Sequence, residues 1–546
     1  MSTAVGEAER RATLVSLADA IELLTARTGE TARDDALLGI LKLAQGVIDN
    51  QAVEIQYLRK QLFGRRSEKV SRDQMNLFVA VLETVAREAE TAAATTESKP
   101  KKGQPKKKRV PLRPTRTEEI PVPESERPCP ACQTPRSTLG HERSLVVEYT
   151  PPKVEVIEYL REKVVCRACE GEIALAPQPK ERVIDRALPG PNMLAALVVQ
   201  KTVDGLPLWR SKRIFRRSGL DIPIQTLNRW EGFAHRLLEP VIDRLGARIL
   251  EADTINLDDT PIRVRDPDRE RGIFAGHIWC FVGKNYDPGG DLRKTIEQVV
   301  YTFAPTWEAK YPEDFLAGSK AALQGDAYRG YERIASANEG DRIERLLAGC
   351  AMHARRPFVQ AFEAGDPLAP FFVDGFRVVY RIEARAREDN LTAHERLDLR
   401  RRESLPIMTR MLERANELLP LPLAKPMKNG VTYLINQFEK LVVPFTGDGR
   451  MEIDNGSAER RLRRVASGRK AWLFAGSESG AQRFADVLSL VSTAEAAAID
   501  PGTYVASIIQ NVDTWPNSRI DDLLPHAWRD ALAAFRAADA ENRNPA

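Results

Sequence analysis

Apolar positions along this chain keep four successive rhythms. Leu41, Ile48, Ile55 and Leu62 recur every seven residues, and Leu37, Ala44, Gln51 and Leu58 fill a second position of the same heptads. Such an a/d seam predicts a coiled coil in which polar Gln51 weakens the contact while fixing its register. The same pattern also fits an amphipathic helix packed on its own chain. After "DRALPGPN" the period becomes helical, through "MLAALVVQKTVDGLPLWRSKRIFRRSG" and "LDIPIQTLNRWEGFAHRLLEPVIDRL", with Gly219 at a turn between two short helices. From Thr254 it changes to two: "TINLDDTPIRVRD", "GHIWCFVGK" and "TIEQVVYTFAP" predict three consecutive strands of an antiparallel meander. "AALQGDAYRGY" adds a short fourth strand ending at Asp326, and a charged helical stretch occupies about 358–435.

At 546 residues the chain is too long for one core, since domains usually hold roughly 100–200 residues. Its 43% hydrophobic and 29% charged residues are ordinary for a globular protein, so any disorder is local. A formal net charge of +4 does not itself argue for nucleic acid; its distribution does. Lys99 to Arg116, "KPKKGQPKKKRVPLRPTR", holds six Lys and three Arg, no acid, and prolines that forbid helix. This reads as a linker that is either a solubilising tether or an arm condensing on phosphates. "LFGRRSEK", Leu62 to Lys69, places Arg65, Arg66 and Lys69 at the end of the heptads. "MSTAVGEAER" holds no apolar signal core and no run reaches the ~18 apolar residues of a membrane span, so a cytosolic protein is expected.

Six cysteines are too few for a disulfide framework in a chain of this length. "CPAC" (Cys129, Cys132) and "CRAC" (Cys166, Cys169) are separated by 33 residues and flank strand-like segments. Two such knuckles supply four thiolates for a closed tetrahedral Zn2+ site, hence a structural zinc ribbon. His141, between them, reads as a surface residue.

The helical stretch carries Arg210, Lys212, Arg213, Arg216 and Arg217 before Gly219, and Arg229 in "IQTLNRW" after it, which resembles a helix-turn-helix; helices joined by a glycine also occur in any bundle. Asp258, inside "INLDDT", is costly to bury unless it meets a cation. Asp454 or Ser457 is placed to cap a helix that displays Glu459, beside Arg460, Arg461, Arg463, Arg464, Arg469 and Lys470. Acids that hold two divalent ions ~4 Å apart, ringed by cations that hold a DNA backbone, suit phosphodiester chemistry.

Asp258, Asp326 and Glu459 in this order, with "LFGRRSEK", two C-x-x-C knuckles, "DDTPIRV", "GDAYRGY", "CAMHARRPF" and "DNGSAERRLRRVASGRKAWLFAGS", resemble the DDE transposase of the insertion-sequence-66 family over roughly residues 35–530. The resemblance implies an RNase H-like catalytic core, a triad of Asp258, Asp326 and Glu459, and an N-terminal zipper joined by Arg65, Arg66 and Lys69 to DNA-end binding. Asp259 is the rival for the first position. "CAMH" resembles a C-x-x-H signature of RNase H-like transposases; with two candidate ligands it does not make a zinc site, and His353 with Arg355 and Arg356 is expected at the scissile phosphate. The sequence departs from the family pattern at Pro357, Gly456, Arg464 and Ala471.

The expected architecture is multidomain α+β: a coiled coil with basic cluster (35–90), a basic linker (91–118), a zinc ribbon (119–182), a helical DNA-binding region (183–250), an RNase H-like α/β catalytic domain with its helical insertion (251–495), and a C-terminal module (496–546). The implied function is metal-dependent DNA cleavage and strand transfer with two Mg2+ (or Mn2+) ions and one structural Zn2+. DNA contacts are expected from Arg65, Arg66, Lys69, Arg213, Arg229, His353, Arg355, Arg460, Arg463, Arg469 and Lys470. Partners are double-stranded DNA, a second copy of the chain and accessory proteins of the element, in a bacterial cytoplasm at the nucleoid. The alternative is a catalytically silent protein that binds transposon ends or represses its element.

Overall fold

The computed structural model describes residues 32–63, 153–164, 174–185, 187–336 and 345–534. Arg65, Arg66, Lys69, the basic linker, and Cys129, Cys132, Cys166 and Cys169 lie outside them. The heptad stretch forms one helix, α1 (Ala32–Phe63). It is two-faced. Val53 packs with Ala364 and Ala424, and the Asn50 side chain accepts the Ala424 N–H at 3.1 Å and donates to the Pro422 carbonyl at 2.5 Å. The seam residues Ile48, Ile55 and Leu58 are left exposed. One face of the helix thus packs on its own chain, while the seam face carries exposed apolar side chains. A two-residue antiparallel pair, β1 (Lys163–Val164) and β2 (Ala174–Leu175), follows.

Three helices, α2 (Pro191–Thr202), α3 (Leu208–Arg217) and α4 (Ile224–Ile249), lead into the sheet. Gly219 turns between α3 and α4 at φ +90°, a conformation that costs other residues about 1–2 kcal/mol. The second helix is not short: its 26 residues bury Leu227, Leu238, Val241 and Leu245 in the core shared with the sheet.

The meander expected from period two is present as β3 (Thr254–Arg265), β4 (Ile273–Asn285) and β5 (Ile296–Ala304). After α5 (Lys310–Phe315), strand β6 (Ala322–Gln324) pairs parallel to β3 and ends two residues before Asp326. A further helix, α6 (Gly330–Ser336), precedes β7 (Leu347–Ala348), which completes the order β5-β4-β3-β6-β7. Three antiparallel strands thus continue into two parallel ones.

The insertion is built from α7 (Ala351–Glu363), α8 (Ala369–Glu388), α9 (Ala393–Leu399), a π turn (Arg400–Ser404), α10 (Leu405–Leu418) and α11 (Lys425–Thr446). Inside it Glu383, 1% exposed, bonds Arg400 at 2.6 and 2.9 Å and Arg396 at 2.9 Å. Burial opposes the Glu383 charge, but the two guanidinium groups outweigh it and hold the carboxyl below its usual range. Arg396 also reaches Glu452 at 2.9 Å, tying the insertion to the segment before α12 (Gly456–Trp472).

Helix α13 (Glu478–Ala496) covers the free edge of β5 with hydroxyls: Thr493 Oγ1 accepts the Val299 N–H at 2.9 Å, and Ser489 Oγ the Tyr301 N–H at 2.7 Å. This edge is therefore closed to further pairing. Helix α14 (Pro501–Asn511) adds Tyr504 and Ile508 to the same core. The segments expected on either side of 251–495 thus share the sheet's apolar core. Among the described residues no helix is long and apolar enough to cross a membrane.

Candidate active site

Alternation on β3 puts Asn256, Asp258 and Thr260 on one face and Asp259 on the other. The first face is covered by α12: Asn256 reaches Asn455, and Thr260 reaches Arg469 at 3.1 Å. On the other face Asp259 is fully engaged, with His277 Nδ1 at 2.6 Å on one oxygen and Trp307 Nε1–H donating to the other at 2.9 Å. Trp307 stacks on both His277 and Tyr328, at ring distances of 5.9 and 4.8 Å. Asp259, the rival, is thus a clamp for this aromatic group.

Asp326 follows β6. The parallel register pairs Asn256 with Gln324, so Asp258 and Asp326 stand two residues beyond partners that face each other. Asp326 Oδ1 accepts the Tyr328 N–H at 2.9 Å. Glu459 lies on the first turn of α12. The three carboxylates sense one another: burial, then the charges of Asp326, Asp259 and Glu459, push the Asp258 carboxyl up to about 7 against the pull of the Asp259 N–H. Burial likewise raises Glu459, opposed by Arg356 and Arg463.

Three buried amides hold these acids, and none was singled out from the sequence. Asn256, Gln324 and Asn455 are 3%, 2% and 0% exposed. Asn256 Nδ2 donates to Gln324 Oε1 at 2.8 Å and to Asn455 Oδ1 at 3.1 Å; Asn455 Nδ2 donates to the Leu257 carbonyl at 2.9 Å. Gln324 Nε2 donates to the carbonyls of Glu452 at 2.7 Å and Gly349 at 3.2 Å. Each amide precedes an acid by two or four residues, so the network locks β3, β6 and the start of α12 together where the acids emerge. A polar residue recurring on the acid's own face of an apolar strand was the available signal.

The expected helix cap is rearranged. Asn455 is the N-cap residue of α12, but its side chain serves the network. Asp454 Oδ1 instead accepts the Gly456 N–H at 2.9 Å, and Asp454 Oδ2 the Tyr380 hydroxyl at 2.8 Å. Gly456 leaves room for this turn, since a β-carbon there would come within 2.8 Å of Asp454 and Arg460.

The cations divide by use. Arg461 pairs with Glu297 at 2.7 Å and Arg464 with Glu495 at 2.8 Å, which gives the departure at Arg464 a structural role. Arg469 bonds Thr260 and the Pro261 carbonyl. Arg460, Arg463 and Lys470 are exposed on α12, as is Arg356 on α7. Arg356, rather than half-buried Arg355, acts on the Glu459 charge. Arg213 and Arg229 are exposed on α3 and α4, with Arg213 over the Trp209 ring at 5.9 Å.

The C-x-x-H pair also differs from its reading as two isolated ligands: folding brings Glu459 to it, and ligand atoms of Cys350, His353 and Glu459 all lie within 4.8 Å of one another. His353 Nδ1 is 3.4 Å from Glu459 Oε1. Burial, then Arg356, depresses the His353 pKa, which favours neutral imidazole, and burial pushes the Cys350 thiol up to about 12.

An Asp258 carboxyl pushed up to about 7 by burial and neighbouring acids suits an oxygen-rich pocket for hard divalent cations. A mixed sheet wrapped by helices thus carries acids on β3, just past β6 and on the first turn of α12. Residues 186–483 match the family described as Transposase IS66 family. Residues 126–170 match the zinc-finger binding domain of transposase IS66, and residues 52–116 the segment described as Transposase C of IS166 homeodomain. The chain belongs to the IS66 transposase family. It is similar to two uncharacterized proteins of Sinorhizobium fredii (strain NBRC 101917 / NGR234): y4hP, 31% identical over 501 residues covering 88% of this chain and 89% of the relative, and y4qI, 28% identical over 513 residues covering 92% of each. Membership brings a transposition-related function, DNA binding, a zinc-finger segment with its zinc, and a divalent metal for the nuclease-type domain.

Proposed function

We propose that this protein is a DNA transposase that cleaves strands at the ends of its element and joins them to target DNA, with Asp258, Asp326 and Glu459 as the carboxylates that hold two Mg2+ or Mn2+ ions. The observation that carries this reading is that three half-buried acids, on β3, just past β6 and on α12, act on one another's charge. The strand order β5-β4-β3-β6-β7 supports an RNase H-like core beneath them. Two such ions, held by these carboxylates, would supply activation of the attacking water or 3′-hydroxyl and stabilisation of the leaving oxygen.

The chain's own residues supply the rest. Asn256, Gln324 and Asn455 fix the spacing of the carboxylates before any ligand arrives. Arg356 and Arg463 flank Glu459 and would meet the scissile phosphate, while Arg460 and Lys470 would hold the neighbouring backbone. Arg213 and Arg229, on the α3–α4 pair, and Arg65, Arg66 and Lys69 would bind the element's end. Asp259 holds Trp307 and His277 and takes no part in the chemistry. Exposed Ile48, Ile55 and Leu58 on α1 would pair two copies, so that two ends are held together.

Incubating the full chain with duplexes carrying the element's ends, a target plasmid and Mg2+ tests the proposal. Joined product that disappears with a chelator is expected. End binding with no product in Mg2+ or Mn2+ would instead identify a silent end-binding protein.

A further inference from the structure

The C-x-x-H pair has no role in that reading, yet its surroundings are unusual. Cys350 is fully buried at the start of α7, His353 sits one turn on, and Glu459 reaches them from α12, 106 residues later in the chain. His353 Nδ1 and Glu459 Oε1 are both buried and neither has a hydrogen-bond partner, although they lie 3.4 Å apart. Two such atoms, in contact yet without a hydrogen bond, can both turn to one shared cation. In a tetrahedral site with Zn–N and Zn–O bonds of ~2.0 Å, two such ligands stand ~3.3 Å apart. The Cys350 sulfur, within 4.8 Å of both partners, already accepts the Asn455 N–H at 3.2 Å, the kind of outer contact that steadies a metal-bound thiolate.

We propose that Cys350, His353 and Glu459 form a binding site for a soft divalent transition metal of the zinc class, separate from the zinc-finger segment. One sulfur, one nitrogen and one oxygen complete three corners of a tetrahedron and leave the fourth to water. These donors select zinc over magnesium, which prefers oxygen ligands. The bound ion joins the start of α7 to the first turn of α12. Glu459 has two oxygens, so Oε1 in this site leaves Oε2 for the hard-metal site. The binding claim rests on the geometry of the three side chains and stands whether or not the protein is an active transposase.

The test is a zinc count on the full chain, equilibrated with micromolar free zinc and passed through a desalting column. Wild type is expected to carry one zinc more per chain than Cys350→Ala, and the Cys129→Ser/Cys132→Ser variant one fewer than wild type by loss of the other site. With Cys166→Ser and Cys169→Ser added to that background, Co2+ should still give a thiolate-to-cobalt absorption band, and adding Cys350→Ala should abolish it. His353→Ala serves as the second variant if Cys350→Ala does not fold, and should lose the same single zinc. Equal zinc counts in wild type and the folded variant, or a cobalt band that survives loss of Cys350, would overturn the proposal.

Discussion

Replacing Asn455 by Ala removes the side chain that staples α12 to β3 beside Asp258. It leaves the Asn256 Nδ2–H and the Leu257 carbonyl without the bonds now made at 3.1 and 2.9 Å, in a place where Asn455 is 0% exposed. Two buried groups that lose a partner and cannot reach water cost about 2–4 kcal/mol together. For a domain of this size each kcal/mol lowers Tm by about 2–4 °C, so a drop of roughly 4–16 °C is expected. Activity should suffer more than stability. Glu459 lies one turn along the same helix, and a displacement of about 1 Å in a group that organises a reacting centre costs on the order of a hundredfold in rate. Asn455→Asp separates the two effects: it keeps an acceptor for Asn256 but sets a carboxylate against the Leu257 carbonyl and adds negative charge near Asp258. Its Tm should be low at pH 8 and recover towards pH 5, where the protonated acid can donate to that carbonyl. The assay pairs thermal unfolding with strand transfer per folded molecule, measured well below each Tm. Asn455→Ala with a Tm within 1 °C of wild type refutes the network; a lowered Tm with unchanged strand transfer per folded molecule refutes its positioning role.

Three further outcomes follow from the same contacts. Because burial raises the Asp258 pKa from 3.8 to about 7, the metal-free fold keeps a proton that the unfolded chain has lost between those values; stability should therefore fall as pH rises from about 4 to 7, and the Tm gain on adding Mg2+ should be small at pH 5.5 and large at pH 8. Equal Mg2+ shifts at both pH values in differential scanning fluorimetry would contradict this. Glu383→Gln leaves Arg396 and Arg400, 3% and 0% exposed, without their shared counter-charge and should cost about 3–5 kcal/mol in urea unfolding; a loss under 1 kcal/mol would show that Glu452 and the backbone carbonyls suffice. Ile48→Glu with Ile55→Glu charges the open face of α1 while sparing Asn50 and Val53, so sedimentation should show reduced self-association at unchanged Tm, and an unchanged oligomer would remove the seam from the interface.

The sheet was legible where its strands are long and rich in β-branched and aromatic residues, as in β3, β4 and β5, because strand propensity and stretches of period two are local properties. Strand β7 was not, since two residues, Leu347 and Ala348, carry no period; their pairing with β6 is set by the fold. Asp258 was readable as an acid in an apolar strand, while Asp326 and Glu459 were picked out through the family resemblance; burial and the neighbouring acids raise the Asp258 carboxyl. What holds them was only half visible: Asn256 and Gln324 share a face with the following acid, whereas nothing in the sequence marks Asn455, next to the expected cap Asp454, as the side chain that turns to β3. The third ligand beside Cys350 and His353 was invisible for a simpler reason, that Glu459 is distant in sequence and close only through packing of α7 and α12. The heptads of α1 specify an apolar stripe, but a stripe does not say how many partners it has; here Val53 and Asn50 find one within the chain.

The most direct measurement is strand transfer by Asp258→Asn, Asp326→Asn, Glu459→Gln and Asp259→Asn, each checked for fold and for binding of the element's ends. An amide keeps the volume of the side chain and removes the anionic oxygen a divalent ion needs. The first three variants should bind ends as wild type does, with affinity that falls with salt, and lose cleavage and joining by orders of magnitude. Asp259→Asn should be milder, since Trp307 can still donate to the remaining carbonyl oxygen. Near-normal joining by Asp258→Asn together with loss in Asp259→Asn would move the first ligand by one residue. Joining retained in all four would contradict a DDE mechanism.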